Sequence, residues 1–123
     1  MLSKTSSLDT LDLSHCGCIA DNMVPVFTAL CGEAPTLRKL VMRGNRVGNE
    51  GASRLAEVLR VNTQLRVLDI GDNGITAQGA EELALAARSN KALSELAMEH
   101  NDIGEIGLRA LEAARSDTLA LFL

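Results

Sequence analysis

Leu65-x-x-Leu68-x-Ile70-x-x-Asn73-x-Ile75 is the stretch whose reading decides the fold. The same residue types stand 28 positions earlier, as Leu37-x-x-Leu40-x-Met42-x-x-Asn45-x-Val47. They return 28 positions later, as Leu93-x-x-Leu96-x-Met98-x-x-Asn101-x-Ile103. A looser copy, Leu8-x-x-Leu11-x-Leu13, lies 29 positions ahead of the first. A fixed period in this range marks stacked repeats, in which each unit buries its apolar face only against its neighbours.

Each unit changes period halfway. Leu68-Asp69-Ile70 alternates apolar and polar residues, the mark of a short strand with one buried face. In Gly51-Ala52-Ser53-Arg54-Leu55-Ala56-Glu57-Val58-Leu59 the spacing becomes helical, with Ala52, Leu55, Ala56 and Leu59 on one stripe and Arg54 and Glu57 facing away. Gly79-Ala80-Glu81-Glu82-Leu83 and Gly107-Leu108-Arg109-Ala110-Leu111 repeat that helix, and an earlier version runs from about Asn22 to Cys31. Asn62-Thr63 and Ser89-Asn90 are polar breaks that return the chain to the next strand. Arg60, Arg88 and Arg115 suit the negative helix ends, and Glu50 and Glu105 the positive ones. Glu50–Arg54 and Glu105–Arg109 are also i,i+4 pairs on solvated faces.

Strand, helix, strand in succession implies parallel pairing. Stacked strands sit about 4.8 Å apart and packed helices about 8–10 Å, so the stack bends with its strands on the concave side. The expected architecture is an α/β repeat solenoid: short parallel strands on the concave face and helices on the convex face. It is a single domain over residues 1–123, with repeats at about 8–36, 37–64, 65–92 and 93–117 and a partial fifth strand at 118–123. Asn45, Asn73 and Asn101 close the strands, where a side-chain amide can both donate to and accept from the backbone of a turn. They form a structural asparagine ladder, with Cys16 in the equivalent place of the first copy.

This pattern, with Gly51, Gly79 and Gly107 and the 28-residue step, resembles the leucine-rich repeats of the ribonuclease-inhibitor class over residues 8 to 115. The resemblance implies an intracellular, non-catalytic scaffold for protein–protein interaction. Two alternatives stay open: a GTPase-activating module resembling the Ran GTPase activators, and a structural subunit or assembly segment of a larger complex. The first copy departs from the pattern. It carries an extra residue near Cys18-Ile19, Met23 at the glycine position, Pro25 in the first helical turn and Phe27 in the place of Leu55.

Bulk composition narrows the classes further. With 46% hydrophobic residues, no Trp, no Tyr and two Phe, the core is aliphatic. A net charge of -4 and the lack of any Lys/Arg run exclude nucleic acid as the expected partner. No window approaches the ~18 apolar residues of a membrane span, and no apolar stretch follows Met1–Ser7 as a secretory signal would. Cys16, Cys18 and Cys31 are odd in number and irregularly spaced, as in a reducing interior. The expected location is cytoplasmic, with the nucleus compatible.

The residues pointing away from the core line the concave face. From repeat one these include Asp12 and His15, and from repeat two Lys39 and Arg43, with Arg46 beside them. Asp69 and Asp72 come from repeat three, and Glu95, Glu99, His100 and Asp102 from repeat four. A basic strip is expected beside an acidic one, with no aromatic residue on that face and Arg43 and Arg46 as the residues of hot-spot type. Concave binding is therefore expected to be electrostatic and weak. Arg43 and Arg46 are also the candidates for the GTPase alternative. His15-Cys16-Gly17-Cys18 lacks a fourth ligand for zinc, and His15 and His100 lie three strands, about 14 Å, apart. No catalytic, metal or cofactor site is expected. Leu119-Ala120-Leu121-Phe122-Leu123 is apolar, uncharged and free of Pro, the profile of an association-prone edge. Since neither end carries a polar cap, the chain is expected to belong to a longer protein or assembly, or to associate end to end through this strand.

Overall fold

A computed structural model describes residues 9–19, 21–32 and 37–123. Leu8, the expected start of the first unit, and the 33–36 link to the second lie outside the described residues. Five strands alternate with four helices: β1 (Thr10–Asp12), α1 (Val24–Gly32), β2 (Lys39–Val41), α2 (Gly48–Val61), β3 (Val67–Asp69), α3 (Ala77–Ser89), β4 (Glu95–Ala97), α4 (Gly104–Ala114) and β5 (Ala120–Phe122). A short 3-10 turn, Asp21–Met23, precedes α1, so the first helix starts later than the sequence pattern placed it. The strands form one sheet in chain order, each parallel to the next.

Register explains the brevity of the strands. Leu11, Leu40, Leu68, Leu96 and Leu121 stand opposite one another across the five strands. Leu40, Leu68 and Leu96 are fully buried, and each is flanked by residues that point to the other face of the sheet. Helix stripes close the core from behind: Phe27, Leu55, Leu83 and Leu111 occupy equivalent positions and all are buried. At about 25 cal/mol per Å² of apolar surface, stacked rows of this kind supply most of the driving force.

Between strand and helix the chain turns through left-handed backbone at His15 (φ 55°), Gly44 (φ 76°), Asp72 (φ 54°) and His100 (φ 63°). Position 44 also needs glycine for space, because a Cβ there would run into the imidazole of His15. On the helix side, a Cβ at Gly79 would meet Ala52 Cβ at 2.9 Å and Ile75 Cγ2 at 2.8 Å. The missing side chain is what lets α3 pack closely on α2.

Candidate functional site

Two rows of side chains run across the open face of the sheet. The first is Thr10, Lys39, Val67, Glu95 and Ala120, and the second Asp12, Val41, Asp69, Ala97 and Phe122. A third row continues past the strands as Ser14, Arg43, Gly71 and Glu99, fixed by His15 N–H donating to Arg43 O (2.9 Å), Gly44 N–H to Gly71 O (3.0 Å) and Asp72 N–H to Glu99 O (2.8 Å). Each row arises because successive units repeat in register while alternate residues face outward.

Charge is organised differently from two parallel strips. Arg43 reaches sideways, pairing with Asp69 at 3.1 Å and with Glu99, two units away, at 2.8 Å. Its guanidinium lies over Gly71, where any Cβ would meet Arg43 Cζ at 2.6 Å. Glycine at 71 is thus the seat that lets one arginine span from repeat two to repeat four. The hydrogen bond to Glu99, followed by that to Asp69, raises the already high pKa of Arg43. At the near end, hydrogen bonds from Ser14 hold the Asp12 carboxyl below its ordinary pKa. Arg43 is therefore engaged with two carboxylates inside the face.

The expectation of a face without aromatics is corrected by β5. Leu121 aligns with Leu96 and is buried, so Phe122 falls in the outward row beside Ala97, 46% exposed. Val41, Val67, Ala97 and Phe122 are apolar members of these rows, interleaved with charge: Asp69 stands between Val41 and Ala97, and Lys39 and Glu95 flank Val67, so the apolar pair adjoining within a row is Ala97 and Phe122. Arg46, Asp72, His100 and Asp102 sit farther out, on the turns leading to the helices. Arg46 pairs there with Ile19 and Asp102 with Thr76 as isolated bridges. His15 is on the same margin, its ring over Gly44. Among the described residues, no three His, Cys, Asp or Glu side chains gather as a metal site, and no helix is long and apolar enough to cross a membrane.

Asparagines brace the turns along one edge of this face. Asn45 donates to Leu13 O (2.9 Å) and Met42 O (2.8 Å) and accepts from the amides of Cys16 (3.1 Å) and Cys18 (2.9 Å). Asn101 does the same two units on, donating to Ile70 O and Met98 O and accepting from Asn73 N and Ile75 N. Asn73, between them, donates to Met42 O and Gly71 O. A second row, which the sequence reading took for simple breaks, runs along the helix C-termini. Asn62 donates to Leu30 O and accepts from Gln64 N and Leu65 N, while Asn90 donates to Leu59 O and Asn62 O and accepts from Ala92 N and Leu93 N. Both are residues with a 28-position partner, the signal that could have singled them out.

A single sheet of parallel strands backed by helices, each unit stacked on a copy of itself, defines an α/β repeat solenoid. Residues 33–56, 61–84 and 89–111, more than half of the chain, match the family described as Leucine Rich repeat. The chain belongs to the leucine-rich repeat family. Among solved structures it is similar to leiomodin-1 actin-binding site 2, with a TM-score of 0.86 at 18% identity over 98% of this chain and 73% of that one. No curated protein matches the sequence.

Proposed function

We propose that the chain is a protein-interaction module that engages its partner through the open face of the sheet and does no chemistry of its own. The observation that carries this is exposed Phe122 beside Ala97 on a sheet face whose other outward positions alternate apolar Val41 and Val67 with charged Lys39, Asp69 and Glu95. Aromatic residues are enriched in protein interfaces and among the anchors that dominate binding energy. Leiomodin-1 actin-binding site 2 is an example of this fold in a named binding region. At 18% identity its partner is not carried over. The 28-residue unit with one helix per repeat supports assignment to the ribonuclease-inhibitor class, and the odd cysteine count supports a reducing, intracellular setting.

Because Arg43 is paired internally and Phe122 is exposed, affinity on this face rests on apolar contact and tolerates salt. A photo-crosslinking residue placed at Phe122 or Val67, in chain incubated with a cell extract, tests the reading. Discrete adducts from these two positions, retained at high salt and absent from Leu85 on the helix face, are expected. Equal labelling from Leu85, or none from the sheet face, contradicts it.

A further inference from the structure

Two adjoining troughs follow the edge of the solenoid where helices end and the next strands begin. One, of about 390 Å³, is lined by Arg60, Arg66 and Lys91 among polar neighbours. The other, of about 210 Å³, shares Asn90 and Lys91 with it and adds Arg88 and Arg115. Five cations and no carboxylate line the pair, in a chain whose net charge is -4. All five are exposed, and none forms an ion pair among the described residues, in contrast to Arg43, Arg54 and Arg109.

Helix dipoles do not account for this strip. Positive charge in a last helical turn is ordinary, which covers Arg60 and Arg88. Arg66 and Lys91 lie beyond the helix ends, on the segments that lead into β3 and β4. At those helix ends Leu59 O already accepts from the Asn90 side-chain amide, Val58 O from Asn62 N–H, and Ala86 O and Ala87 O from Asn90 N–H, so the cations are not needed to cap these carbonyls. Asp21, Glu50, Asp72, Asp102 and Glu105 lie on the opposite, turn-bearing edge, where, Arg43 apart, Arg46 is the one arginine or lysine on the turns among the described residues. The molecule is thus polarised across its short axis, and such a field orients a charged partner as it approaches.

We propose that this edge is a docking strip for an extended acidic segment of a partner polypeptide, separate from the sheet-face contact above. An extended chain presents same-side residues about 6.6–6.8 Å apart. Equivalent points on neighbouring repeats are separated by about 4.8 Å at the strands and about 8–10 Å at the helices, so alternate carboxylates keep step with successive units. A nucleic acid fits less well, since its continuous charge calls for a basic domain rather than a strip on an acidic one. Glu95 and Asp117 line the next depression beyond Arg115 and end the strip.

The test is titration of a fluorescent peptide alternating glutamate with serine, followed by anisotropy. Binding that weakens with salt is expected, roughly tenfold or more weaker after Lys91→Glu with Arg115→Glu. Lys91→Arg with Arg115→Lys should retain it, as should Lys39→Glu on the sheet face. Melting curves of the variants, both sites being exposed, confirm that the fold is kept. No binding by the wild-type chain, or equal binding by the charge-reversed one, overturns the proposal. Tighter binding of a single-stranded oligonucleotide to the same residues overturns the assignment to a polypeptide.

Discussion

At Gly79 an added Cβ would meet Ala52 of the preceding helix at 2.9 Å, and at Gly107 it would meet Ala80 at 3.1 Å. At Gly51 the three nearest atoms all belong to Val47 of the same unit, and none comes from α1. The first unit has Met23 where the others have Gly51, Gly79 and Gly107, and its helix stands off. A cleft of about 110 Å³ remains between α1 and α2, lined by Val24, Phe27, Cys31, Arg54 and Val58 among others. Burial there pushes the Cys31 thiol pKa up. The asparagine ladder weakens at the same end: Asn45 holds the first turn from one side only, and Cys16 offers a 3.5 Å sulfur contact to Ser14 O in place of an amide. The first unit is held by strand pairing, by buried Phe27 and Leu30 and by the amides of Asn45 and Asn62, but it lacks the close helix packing and the amide of its own that reinforce the later units.

The sharpest way to break that contrast is in the leucine row. Leu68→Ala, at a fully buried position, should lower unfolding free energy by about 2–5 kcal/mol, whereas Leu11→Ala, half-buried in β1, should cost about 1 kcal/mol or less. Denaturant titration compares the two, and equal losses would mean that the units are held alike. Next comes the helix contact. Gly79→Ala should cost about 1–3 kcal/mol by forcing α3 off Ala52, and a neutral result in thermal melts would deny that close packing. Asn73→Ala, which removes one of two donors from each of Met42 O and Gly71 O, should cost about 1–3 kcal/mol, against about 0.5 kcal/mol or less for Cys16→Ala on its exposed turn. Smallest is Arg43→Ala. Its carboxylate partners are part-exposed, so solvent screening limits the loss to about 1 kcal/mol, and added salt should narrow the difference from wild type.

Much of the fold was legible because the signals repeat. Leu37, Leu65 and Leu93, and the asparagines eight positions later, fixed strand, turn and register, since a one-residue slip would expose every leucine. Phe122 was legible too, had its alternation with Leu121 been continued from Leu96; its place on the sheet face follows from period two. The Arg43 cluster was not, because a long side chain chooses among neighbours by rotamer and space, and only the glycine at 71 hints at the direction. Asn62 and Asn90 were hidden by their ordinary role as turn formers. The edge troughs depend on residues from different units converging around gaps, which no linear spacing records.

Native-state hydrogen exchange tests most directly whether the regular units are held more tightly than the first. The amides of Met42 and Ile70, bonded to Asp69 O at 2.8 Å and Ala97 O at 2.9 Å, and those of Asn73 and Ile75, bonded to Asn101 Oδ1, should exchange slowest, near the global unfolding limit. The amides of Leu13, Cys16 and Cys18 make bonds of the same kinds, at 2.7, 3.1 and 2.9 Å, yet should exchange earlier through local opening of the first unit. Equal protection of the two sets, or greater protection of the first unit, would contradict it.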